Sequence, residues 1–128
     1  MKAHIFVEVA VTGLASKNSS VVLRHGFLLS ALGSFPTLPR QGEEVSFNGS
    51  ELAGQLTALE PLEVEKVIWW ASPEKASVFA PSIYLKDATL KHGDEETLDE
   101  AIGAFGKLVS DSNKNTGGFG FRIERDYR

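Results

Sequence analysis

Three histidines, His4, His25 and His92, are the side chains here best suited to acid-base or metal chemistry, because imidazole changes charge near neutral pH without help. No two of them stand four apart, the spacing that puts two imidazoles on one helix face around a metal, so a metal site would have to be assembled across the fold. The sequence assigns no metal and no cofactor. Two pairings with a carboxylate are open. His25 meets Glu8 if the strands that carry them pair with those residues opposite. His92-Gly93-Asp94-Glu95-Glu96 sets an imidazole beside three carboxylates, with Asp94 the nearest acid, although turn, helix cap and helix dipole already account for those types in that order. Either pair, His25 with Glu8 or His92 with Asp94, would make a small enzyme working by general acid-base catalysis. A nucleophile is missing: the chain has no cysteine and no Gly-x-Ser-x-Gly turn. The lack of cysteine also removes thiolate-ligated zinc, iron-sulfur clusters and a disulfide framework, and it suits a reducing cytoplasm.

Aromatic residues suggest recognition instead. Trp69 and Trp70 are adjacent in a run rich in β-branched and aromatic residues, where neighbouring side chains point to opposite sides of a sheet. One can lie in the core, and the other is either covered by the helix or a loop or exposed as an anchor of the kind that dominates protein interfaces. Phe35 leads into Pro36-Thr37-Leu38-Pro39-Arg40, a proline-spaced loop whose arginine adds a second candidate contact. Near the end, Gly118-Phe119-Gly120-Phe121 resembles the middle of the RNP1 motif of RNA-recognition domains, in which strand aromatics stack on bases. Gly117, Arg122 and Glu124 depart from that motif, and too few residues follow it to complete such a domain. Phe119 and Phe121 are read as alternate residues of a terminal strand, with single-stranded nucleic-acid binding as the alternative they allow.

Bulk properties narrow the partner. Seventeen acidic and 13 basic residues give a formal charge of -4, with no run of like charge, so a phosphate backbone is disfavoured as the main ligand. With 42% apolar and 23% charged residues in 128, the composition is that of one globular domain, residues 1–128. The segment after Met1-Lys2 is apolar, but His4 and Glu8 interrupt it and it alternates, so it reads as mature strand and not as a secretory signal. No membrane span is expected.

The elements that must place these residues follow from periodicity. His4 to Thr12 alternates strictly, with Ile5, Val7, Val9 and Val11 on one face and His4, Phe6, Glu8, Ala10 and Thr12 on the other. Gly13 to Ser20 reads as a turn and Val21 to Leu32 as the returning strand. Matching apolar faces pairs Val11 with Leu23, Val9 with His25, Val7 with Phe27 and Ile5 with Leu29; a slip of one residue would bring Glu8 opposite His25. Gly26 within that strand suggests a bulge or a close backbone approach. A proline-rich loop over 33–44, a short extended piece at Val45–Phe47 and a helix capped by Ser50 and ended by Pro61 come next. Val64 to Ala71 and Ala76 to Leu85 suggest a second hairpin, with Pro81 at an edge or break. The main helix is expected from Glu95 to Ser110, capped by Asp94, with Leu98, Ala101, Ile102, Phe105, Leu108 and Val109 on one stripe. Phe119 to Tyr127 is the last strand.

The expected fold is α+β: an antiparallel sheet or partly open barrel of five to six strands with one main amphipathic helix packed on it. The expected function is a non-catalytic protein-binding module, such as an inhibitor, an immunity-type factor or an accessory subunit. Its partner is another protein or a second copy of the chain, and Trp69, Trp70, Phe35 and Arg40 are its contacts.

Overall fold

The computed structural model describes residues 1–47, 50–57, 60–71, 80–90, 95–115 and 120–127. The chain is α+β. Six strands, β1 (Lys2–Leu14), β2 (Val22–Ser34), β3 (Glu44–Val45), β4 (Leu62–Ile68), β5 (Ser82–Leu90) and β6 (Arg122–Asp126), form an open sheet in the order β3-β4-β5-β1-β2-β6. Two helices, α1 (Glu51–Leu56) and α2 (Leu98–Asn115), accompany it. All neighbours run antiparallel except the central pair β1 and β5, which is parallel.

The alternation of β1 is obeyed except at Ala10, which is buried although it lies on the opposite face. Ala3, Ile5, Val7, Val9 and Val11 are buried on the helix side, where they meet Phe27 and Leu29 of β2, Ile83, Leu85 and Ala88 of β5, and Ala101, Phe105 and Val109 of α2. Leu52, Ala53 and Leu56 of α1, Val45, Val64 and Phe121 complete the same core. Leu38 and Phe47 from the stretch between β2 and α1 pack against it.

The first hairpin differs from expectation by two residues: Val11 faces His25, Val9 faces Phe27, Val7 faces Leu29 and Ile5 faces Ala31. A two-residue shift leaves every side chain on its face, so apolar matching alone does not choose between the registers. Strand β1 runs two residues closer to the turn than its alternation suggests, and its end is bound from outside. Leu14 N donates to Glu96 O at 2.9 Å, and a Cβ at Gly13 would stand 2.4 Å from the backbone of Leu98. Glycine is required there for α2 to start against the sheet.

Helix α2 begins three residues later than expected and runs five further. Thr97 caps it: its Oγ1 accepts from Glu100 N at 3.3 Å and donates to the Glu100 carboxylate at 3.2 Å, a reciprocal Thr-x-x-Glu arrangement. The extension through polar residues is held by tertiary contacts, with Ser112 buried and Asn113 Nδ2 donating to Phe121 O at 2.6 Å. The expected cap, Asp94, lies outside the described residues. Helix α1 starts as predicted, Ser50 Oγ accepting from Ala53 N at 3.1 Å. The second hairpin is present as β4 against β5, but β5 starts after Pro81, whose carbonyl accepts from His4 N at 2.9 Å.

Candidate recognition face

Helix α2, α1 and the loop between β2 and β3 all lie on one side of the sheet. The even-numbered residues of β1 therefore look out from a face that no described helix covers. At its centre Phe6 and Tyr84, paired across the parallel strands β1 and β5, stack with centroids 5.0 Å apart and planes 16° from parallel. Lys66, opposite Tyr84 on β4, holds its ammonium 4.7 Å from the phenol centroid. A cation so placed adds electrostatic attraction to the ring face. His4 and Leu32 lie opposite one another on the same face, both exposed. At one margin Tyr127 donates its hydroxyl to Glu8 Oε1 at 3.1 Å, and its ring lies over Gly26, where an added Cβ would come within 3.2 Å. Of the two readings of Gly26, a bulge or a close approach, this is the second. At another margin, Lys86 pairs with Glu63.

The electrostatics of this face follow from those contacts. Hydrogen bonds from Ser30 and then Arg122 hold the Glu124 carboxyl below the usual range. Desolvation, and next the bond to Glu8, raise the Tyr127 phenol above its ordinary value. The bond to Glu63 raises Lys86. Glu8 and Glu124 are thus engaged by neighbours, while Lys66 and His4 flank the aromatic pair.

Comparisons with protein-family models, curated proteins and solved structures each give no match. The residues must therefore be judged by where the fold puts them.

Glu8 and His25 do not meet. With His25 opposite Val11, the imidazole is on the covered side and Glu8 on the open one. The single-residue slip that would join them would also turn one strand's apolar residues out to water. His25 has a different carboxylate: its Nε2 lies 2.5 Å from Asp126 Oδ1, 101 residues away on β6. The ring packs edge-on against Phe27 at 4.8 Å, and Phe27 continues to Phe105 of α2 at 4.7 Å. This imidazole–carboxylate pair ties a strand end to an aromatic row of the core. His92 and Asp94 lie outside the described residues. Among the described residues no group of three or more His, Cys, Asp and Glu side chains could hold a metal.

The tryptophans correct their expectation. Strand β4 ends at Ile68, so the alternation that would bury one of them no longer applies, and Trp69 and Trp70 are 65% and 54% exposed. Trp70 Nε1 donates to Ser82 Oγ at 2.9 Å, at the end of β5 next to His4. Phe35 and Arg40 are elsewhere. Both line an open hollow with Leu38, Pro39 and Val45, and neither tryptophan borders it. Phe121 is buried and stands edge-on to Phe47 at 5.2 Å, ahead of β6 and not on it, so it offers no base a platform. Phe119 lies outside the described residues.

Sequence reasoning missed Phe6, Tyr84 and Lys66 as a unit. The signal present was an aromatic side chain, Phe6, on the polar face of the most regular strand. Its partners come from strands more than 50 residues away, and pairing across parallel strands leaves no local trace.

Proposed function

We propose that this chain is a non-catalytic protein-binding module, of the inhibitor, immunity-factor or accessory-subunit kind, whose partner docks on the open face of the sheet. The observation that carries this reading is the Phe6–Tyr84 stack with Lys66 over it, on a face that no described helix covers. Half-buried rings beside the exposed Leu32, bordered by polar side chains, have the composition of a protein recognition site. The Lys66 ammonium stands over the stack, and two carboxylates of the face, Glu8 and Glu124, are already engaged by Tyr127 and by Ser30 and Arg122. The partner that complements this is a protein surface pairing apolar side chains with carboxylates. Trp70, tethered to Ser82, extends the patch at one end and Trp69 is beside it. The cysteine-free composition suits action in the cytoplasm, and among the described residues no helix is long and apolar enough to cross a membrane.

The test is a titration against the purified partner, found by crosslinking in native lysate and identified by mass spectrometry. Tyr84→Ala should weaken binding about thirtyfold, the scale of an interface hot spot. Arg40→Ala, in the separate hollow, should leave it unchanged. Loss on Arg40→Ala with Tyr84→Ala silent would move the site to the loop. Binding of a single-stranded oligonucleotide with steep salt dependence, abolished by Tyr84→Ala, would replace the protein reading altogether.

A further inference from the structure

We infer that β6 is a latched strap, a strand that opens as a unit ahead of the rest of the sheet because polar side-chain bonds on both faces, and not buried apolar surface, hold it. All five of its residues, Arg122 to Asp126, are exposed. It pairs only with Phe27 to Ser30 of the 13-residue β2, and that pairing is irregular between Leu28 and Leu29. The apolar anchor is one residue before it, Phe121 against Phe47. Besides it, Ile123 lies opposite Leu29 and is 39% exposed, and the Tyr127 ring lies over Gly26; the specific side-chain bonds are polar. Ser30 Oγ donates to Glu124 Oε1 at 2.6 Å, and Arg122 Nε donates to the same oxygen at 2.8 Å. At the end, two consecutive residues grip opposite faces: Asp126 takes His25 on the covered side, and Tyr127 takes Glu8 on the open side. Tyr127 N adds a backbone bond to Gly26 O at 3.1 Å.

Segments with little apolar burial open at a lower free energy than the core, and exchange of their amides reports it. Opening here bares the backbone edge of β2 from Phe27 to Ser30, a row of donors and acceptors suited to an extended chain. It also frees Glu8 on the open face. That second consequence rests on the protein-binding reading, whereas the opening itself does not.

The experiment is native-state hydrogen exchange on the full chain without any partner, so its outcome is independent of whether the open face binds protein. Amides of β6 should exchange through a local opening that is nearly insensitive to low denaturant, well ahead of Val7, Val9 and Leu85. Tyr127→Phe, which keeps shape and removes the bond to Glu8, and Asp126→Ala, which removes the carboxylate that meets His25, should each speed β6 exchange at least five- to tenfold, the equivalent of about one net hydrogen bond, and leave the β1 and β5 amides unchanged. Glu8→Gln, which keeps an acceptor for the phenol, should have the smaller effect. Exchange of β6 in step with β1 and β5 through a single global event would overturn the inference. So would latch variants that accelerate every amide equally.

Discussion

The two faces of this sheet are made by the same strands and differ in what lies over them. On the covered face Leu29 and Ile83 have no exposed surface, and each side chain is fixed by neighbours from β1, β2, β5 and α2. On the open face Phe6 and Tyr84 are half-buried, and their principal contacts are with each other and with Lys66 from adjacent strands. Packing in three dimensions makes the first face intolerant of change. Among the described residues, the ring contacts of the second run between neighbouring strands of the sheet. The comparison teaches that aromatic content does not mark the core here: Phe27 and Phe105 are buried between sheet and helix, whereas Phe6 and Tyr84 stay half-buried on the face that no described helix covers.

Substitutions sharpen that contrast. The largest effect is expected from Leu29→Ala, which opens a cavity in the covered face and should cost about 3 kcal/mol in urea unfolding. Gly13→Ala should follow, at about 2 kcal/mol, because its Cβ collides with the Leu98 backbone and the start of α2 must shift. The α2 amides near Leu98 should lose exchange protection as it does so. Tyr84→Ala should cost only about 1 kcal/mol of stability, the worth of a cross-strand aromatic pair, while weakening the proposed partner binding about thirtyfold. A loss as large as that of Leu29→Ala would show that the open face is structural and break the distinction.

The smallest effects are in the pH dependence of the unfolding midpoint. Glu124 is held low by Ser30 and Arg122, so its contribution is present above the ordinary carboxylate range and fades as the pH falls through the lowered value. Glu124→Gln should flatten that acid limb. Tyr127 has the opposite sign: its raised value makes the contribution present below the ordinary phenol range and lost as the pH rises through the raised one. Tyr127→Phe should remove the alkaline loss.

Much of the fold was legible in the residues. Strict alternation gave β1 and the sides of its side chains, Ser50 gave the start of α1, and the stripe from Leu98 to Val109 gave the buried side of α2. The limits of α2 were less so, because Asp94 to Glu96 and Thr97 are both good beginnings and the choice fell to the docking of Leu14 and Gly13 against the segment from Glu96 to Leu98. The candidate site was the least legible. Trp69 and Trp70 announced themselves by type, but their exposure depended on where β4 stops. Glu8 and His25 were both picked out and proved to have other partners, Tyr127 and Asp126, brought in by a strand at the far end of the chain.

Local periodicity, caps and turn residues are properties of neighbours in sequence, so the sequence by itself determined the class of fold, the faces of its strands and the apolar stripe of its helix. Strand order, the parallel union of β1 with β5, the two-residue hairpin register and the meeting of Phe6, Tyr84 and Lys66 were decided only in the tertiary structure. Each of these depends on contacts between distant segments. A period of two or 3.6 residues is equally satisfied by many ways of bringing such segments together.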